Sequence, residues 1–220
     1  METQHKTALV LGATGLVGSE LVKILLEKQN YEKIILLVRK RIPIEHDMIE
    51  QHVIDFEQLS EYKELFKASN IFCCLGTTIK KAKTKMAFRK VDFTYPLEAA
   101  SFSKEMGAEK YLIVTAMGAN AKSYFFYNQV KGEVEEALRD LDLPSLHIFR
   151  PSLLLGKREE FRFGEKVAET ASSVLNTLLV GPLRPYRGIH AKKVAEAMAV
   201  VAESSKTGNH VYLSNEIDLM

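Results

Sequence analysis

Apolar runs alternate with amphipathic stretches along most of this chain. Strand-like runs fall at 6–11, 33–38, 52–55, 70–75, 110–115 and 145–150, with helical spacing chiefly at 15–28, 86–106 and 124–140. The strand-like runs are nearly continuous in Val, Ile and Leu, as expected for parallel strands covered on both faces. Strands alternating with helices imply right-handed crossovers. The fold class expected is therefore α/β, a Rossmann-type doubly wound parallel sheet. Pro144 and Pro151 bracket the last of these runs, and the pattern then changes. A polar stretch follows, then a helical pattern to about residue 179 and a loop at Gly181-Pro-Leu-Arg-Pro185. A further amphipathic helix is expected at 191–203 and a short final strand at 210–213. The whole chain, 1–220, reads as one domain in which 152–190 forms a small C-terminal, substrate-side lobe.

Ligands of such sheets sit beyond the carboxyl ends of the strands. Polar residues and glycines follow the runs there: Gly12, Arg39, Asp55, Gly76 and Thr115. The first run ends in Gly12-Ala-Thr-Gly15-Leu-Val-Gly18, three glycines spaced three apart, and a helical pattern begins at once. In this context Gly12 permits a tight turn, Gly15 close approach of backbone to a pyrophosphate, and Gly18 close packing of helix on strand. The helix N-terminus offers unpaired N–H groups and a partial positive charge to the anion.

Composition narrows the class without naming a substrate. The chain has 220 residues, 46% of them hydrophobic, with a net charge of +2, so nothing global points to a nucleic-acid or membrane surface. The lysine-dense stretch 80–90 reads as a solvated loop and helix face. Cys73 and Cys74 are adjacent in an apolar run, so their side chains leave opposite faces of a strand and cannot share a disulfide. They read as reduced thiols, and with no signal peptide or membrane-length run in view the expected location is cytoplasmic. The six histidines suggest no metal site: His46 and His52 lack ligand-like partners, and His190 opens a helix.

Tyr127 and Lys131 lie four apart on a predicted helix, on one face and about a turn apart. A neighbouring ammonium favours the phenolate, which suits Tyr127 to proton exchange with a carbonyl or alcohol. Lys131 is also placed to bond a nicotinamide ribose. Thr115 ends a strand twelve residues earlier, leaving room for a loop that returns a hydroxyl to the same place. Ser123 is a second hydroxyl in that loop, and Tyr124-Phe-Phe-Tyr127 combines helix packing with a substrate wall. Arg39-Lys40-Arg41 follows the second strand where an NAD site would carry Asp or Glu, so NADP(H) is favoured over NAD(H).

These motifs together resemble the short-chain dehydrogenase/reductases. More closely, Cys73-Cys-Leu-Gly76-Thr-Thr78, Tyr127-Asn-Gln-Val-Lys-Gly-Glu-Val134 and Phe149-Arg-Pro-Ser-Leu-Leu-Leu155 resemble the atypical, Tat-interacting-protein-like NAD(P)-binding oxidoreductases, over most of the chain. The resemblance implies that Gly12, Thr14, Gly15, Leu16 and Val17 line the pyrophosphate, with Asp55 and Phe56 at the adenine. It places Leu75 and Gly76 beneath the cofactor, and Pro151, Ser152 and Leu153 at the nicotinamide carboxamide. Tyr127 becomes the acid/base, Lys131 its partner, and Thr115 the carbonyl-orienting hydroxyl. The family usually carries serine, often a Ser-Ser pair, where this chain has Thr115-Ala116. The expected activity is hydride transfer between NADP(H) and a small carbonyl or alcohol, in a monomer or homodimer. A non-catalytic NADPH-binding sensor or scaffold is the alternative, and a sugar-nucleotide epimerase or dehydratase the third. Arg158, Arg162, Arg184 and Arg187 surround the expected lobe as candidate contacts for an acidic substrate.

Overall fold

The computed structural model describes residues 6–156 and 187–220. Residues 157–186 lie outside it, and with them most of the expected lobe and Arg158, Arg162 and Arg184.

Seven parallel strands form one sheet: β1 (Thr7–Leu11), β2 (Lys33–Val38), β3 (Ile49–Val53), β4 (Asn70–Cys73), β5 (Lys110–Val114), β6 (Ser145–Arg150) and β9 (Gly208–Leu213). Their order is β3-β2-β1-β4-β5-β6-β9, so the winding reverses between β1 and β4. A two-stranded parallel pair, β7 (Leu154–Leu155) with β8 (Ile189–His190), lies beyond β6. The apolar runs serve both faces by simple alternation. In β1, Ala8 and Val10 enter a core with Leu21, Leu25, Val194 and Met198, so α1 (Leu16–Lys28) and α6 (Ala191–Glu203) cover that face. Leu9 and Leu11 enter the opposite core with Ala99, Ala100, Val134 and Leu138, from α4 (Tyr95–Glu105) and α5 (Phe126–Asp140). The apolar stripes of α4 and α5 are thus turned to the sheet.

Two elements differ from the reading of the sequence. The third strand is Ile49–Val53 rather than 52–55, because it is an edge strand bonded only to β2 and carries Glu50, Gln51 and His52 in half-exposed positions. Edge strands need no apolar run, so hydrophobicity does not mark them. Beyond it Asp55 caps a 3₁₀ segment, Phe56–Phe66, by accepting a bond from the Glu57 N–H at 2.9 Å. The helix expected at 86–106 runs without a break from Lys85 to Glu105, but a five-residue π-turn (Lys90–Thr94) separates α3 (Lys85–Arg89) from α4. A short helix, α2 (Ile79–Ala82), precedes them, and α7 (Ser214–Ile217) follows β9.

Candidate functional site

The glycine turn sits at the carboxyl end of β1, beside the point where strand order reverses, which is where sheets of this kind hold ligands. Gly12 has φ of +81°, and a Cβ there would stand 2.5 Å from the Cys74 carbonyl oxygen. A Cβ on Gly18 would stand 2.2 Å from the Gly12 carbonyl oxygen, so α1 lies against the turn with no room for a methyl group. Gly15 is the N-cap of α1. No side chain caps this end and no acidic residue stands in its first turn. Thr14 and Gly15 are exposed, Leu16 is half-buried, and Val17 is buried, so Val17 offers a ligand only its backbone. Arg39 and Lys40 are exposed just past Val38, the last residue of β2. Asp55 is exposed, whereas the Phe56 ring is buried against Tyr95, with centroids 5.5 Å apart. Phe56 can therefore meet an adenine through its backbone alone.

Beyond β4, Leu75 is half-buried and Gly76 exposed. The next residue, Thr77, donates its N–H to Asp92 Oδ2 at 2.9 Å. Asp92 comes from the π-turn, and its Oδ1 lies 2.7 Å from Lys131 Nζ, with side chains 1% and 5% exposed. Oδ1 has no well-directed hydrogen bond, so charge holds this contact. Burial disfavours the ammonium, but Asp92 and then Tyr127 outweigh it and hold Lys131 above the ordinary lysine value. Tyr127, a turn earlier on α5, is half out of the protein at 40% exposed, its ring 5.8 Å from that of Phe88.

Thr115 directly follows β5 and meets α5 away from Tyr127. Its hydroxyl donates to Glu135 Oε1 at 2.7 Å, and both residues are buried. Glu135 also accepts from Arg150 Nε at 3.0 and 3.1 Å, from Arg150 Nη2, and from Arg139 Nη2 at 3.2 Å. The guanidinium of Arg150 is correspondingly held above its ordinary value by Glu135. Glu135 stands two turns beyond Tyr127, roughly 12 Å along the helix. The Thr115 hydroxyl is thus engaged inside the protein, at the far end of the Tyr127–Lys131–Glu135 face. Ser123, the other hydroxyl considered, accepts the Phe125 N–H at 3.1 Å in the turn before α5.

The segment after β6 is stitched in place. The Pro151 carbonyl accepts the Met117 N–H at 2.9 Å, and the Leu153 carbonyl accepts that of Ile189 at 2.9 Å. Ser152 Oγ donates to the Arg187 carbonyl and accepts from Ser214 Oγ at 2.9 Å, while Leu153 is exposed. His190 is an exposed N-cap of α6 that makes no side-chain cap bond. Among the described residues no group of three His, Cys, Asp or Glu side chains could hold a metal, and both cysteines are free thiols. No described helix is long and apolar enough to cross a membrane.

Asp92 and Glu135 are the residues that reading the sequence misses. Glu135 continues the spacing of four from Tyr127 and Lys131 and could have been found that way. Asp92 lies four residues from buried Phe88 and four from buried Pro96, so spacing puts it on the inward face, but nothing in the sequence names Lys131 as its partner.

The sheet, its switch point and the uncapped glycine turn define a Rossmann-type, doubly wound α/β fold. Solved structures of the same fold include MoeE5 with UDP-glucose and NAD, at 15% identity and a TM-score of 0.70, covering 96% of this chain and 79% of that one. The UDP-glucose 4-epimerase of Thermus thermophilus with NAD gives 17% identity and 0.70, covering 97% and 81%. The chain belongs to the HIM1 family, whose sequence model matches residues 32–182. Protein HTATIP2 of Rattus norvegicus is 38% identical over 169 residues, 75% of this chain and 69% of that protein, in keeping with the Tat-interacting-protein-like resemblance. Protein FMP52-1, mitochondrial, of Scheffersomyces stipitis is 35% identical over 187 residues, 83% of this chain and 77% of that protein. Yeast relatives such as this one and Protein FMP52, mitochondrial, of Candida albicans overturn the cytoplasmic expectation. Free thiols and the lack of a long apolar run do not distinguish one reducing compartment from another.

Proposed function

We propose that this chain is an oxidoreductase that uses NADP(H) in preference to NAD(H) to reduce a carbonyl or oxidise an alcohol. The observation that carries the proposal is the uncapped N-terminus of α1, closed against Gly12 at Gly18 and opening at the carboxyl ends of the strands. Its free N–H groups and partial positive charge suit a pyrophosphate, and the exposed glycine at 15 leaves the backbone approachable. Exposed Arg39 and Lys40 stand where charge-assisted bonds to a 2′-phosphate would form. Lys131, charged and buried beside Tyr127, is placed for the ribose hydroxyls. The nicotinamide, when bound, supplies or accepts the hydride. Tyr127 gives a proton to the carbonyl oxygen in one direction and takes it from the alcohol in the other.

One observation favours a second reading, a nucleotide-binding sensor without turnover: the Thr115 hydroxyl is held by Glu135, and residue 116 is alanine. The test is NADPH oxidation over a panel of aldehydes, ketones and quinones, with Tyr127→Phe in parallel. The expected result is a loss of turnover of about 100-fold or more with nucleotide affinity retained. Equal turnover by the variant would remove Tyr127 from the mechanism. Binding of NADPH with no turnover anywhere on the panel would favour the sensor.

A further inference from the structure

A carboxylate joins the Tyr127–Lys131 pair from outside the motif. Asp92 lies in the π-turn Lys90–Thr94, four residues after buried Phe88 and four before buried Pro96, and is itself 1% exposed. There it meets the Lys131 ammonium at 2.7 Å and the Thr77 N–H at 2.9 Å. Gly76 lies beside it, so that a Cβ there would stand 3.7 Å from Asp92 Oδ1. One side chain therefore links α5, the π-turn and the loop beyond β4, the same loop that the resemblance places beneath the cofactor.

We propose that Asp92 is a positioning residue for this site: it keeps the buried Lys131 ammonium charged and aimed, and ties it to the loop at Gly76. The proposal rests on the roles given above to Tyr127 and Lys131. A lysine side chain 5% exposed, with no counter-charge, sheds its proton readily, and buried lysines can titrate as low as about pH 5–6. The titratable groups facing Lys131 are Asp92 from the π-turn, Tyr127 from its own helix and Cys73 from β4. Burial pushes the Cys73 thiol up, so it contributes no charge near neutrality. Asp92 is the one carboxylate of the three. Without it Lys131 would become a neutral amine, still able to bond a ribose hydroxyl but no longer favouring a phenolate at Tyr127. The loss would then depend on pH, whereas a merely structural role would lower activity evenly.

The test follows the Lys131 side chain directly by NMR, in nucleotide-free protein carrying ¹³C,¹⁵N-lysine, with the resonance assigned by its absence in Lys131→Met. In the native protein Lys131 is expected to titrate above the ordinary lysine value, because Asp92 faces it. A native midpoint below the ordinary lysine value overturns the proposal with no need of a variant. In Asp92→Asn the midpoint is expected to fall by about 2 units or more, and turnover to fall away from the native profile as pH rises through it. An Asp92→Asn protein that folds and keeps the native midpoint also overturns it. Both titrations are made without nucleotide or substrate. A chain that proves to have no turnover, yet shows these midpoints, refutes the oxidoreductase reading and leaves the role of Asp92 toward Lys131 standing.

Discussion

Gly18→Ala tests the glycine turn where the structure is least forgiving. The new methyl carbon would stand 2.2 Å from the Gly12 carbonyl oxygen and 2.8 Å from its carbon, where ordinary contact begins near 3.4 Å. Those atoms are backbone, so no side-chain rotation relieves the contact and α1 must move by roughly 1 Å. Overpacking of this kind costs about 3 kcal/mol, at the upper end of its usual range because the obstacle is main chain. Alanine regains about 1 kcal/mol of helix propensity, leaving a net loss near 2 kcal/mol. For a chain of this size that corresponds to a melting temperature lower by about 4–8 °C. The same shift carries the free N–H groups of α1 away from the turn, so NADPH affinity should fall by about tenfold or more. Thermal melting by circular dichroism and a fluorescence titration with NADPH read both effects. Lys23→Ala, on the exposed face of the same helix, should change neither. A Gly18→Ala protein that melts and binds like the native one would refute the argument that close approach forces glycine here.

Three further outcomes follow from the buried polar groups. Glu135→Gln leaves Arg150 and Arg139 without their shared carboxylate and should cost about 3 kcal/mol in guanidinium unfolding; an unchanged midpoint would mean that the cluster contributes nothing. His147, bonded to Ser145 and Tyr212, is pushed down from 6.5 to about 4, first by burial and then by the neighbouring His210, Lys110 and Lys206. Because the folded protein binds this proton less readily than the unfolded chain, its contribution is complete above about pH 6.5 and is lost as pH falls toward 4. Urea midpoints measured across that window should decline, and His147→Phe should flatten the decline. Lys110→Met removes an amine that donates to the Val201 carbonyl at 3.2 Å and that of Ala202 at 2.9 Å, so the end of α6 should exchange its amide hydrogens faster; unchanged protection there would count against this role.

What was legible in the sequence is what local chemistry decides. The glycine turn declares itself because its constraints are partly local, in the positive φ of Gly12 and the contact of Gly18 with Gly12, although Gly12 also meets Cys74 beyond β4. The interior strands declare themselves because burial on both faces demands unbroken apolar runs, as in Lys33–Val38. Strand β3 hid because one edge and much of its surface face water. Tyr127 and Lys131 were visible from spacing alone, but their surroundings were not. Thr115 was read as a free hydroxyl, and the partner that engages it is Glu135, 20 residues away. Asp92 lay within a stretch read as continuous helix, whose π-turn carries no distinct pattern of residues. Side-chain partners across such separations depend on how the helices seat on the sheet, which periodicity does not encode.

The most direct test of the account is calorimetric titration of NADPH and NADH into the native chain, repeated with Arg39→Ala/Lys40→Ala. The account predicts one site per chain, NADPH about tenfold or more tighter than NADH, and a gap that closes in the double variant. Failure of either nucleotide to bind the folded native chain would contradict it.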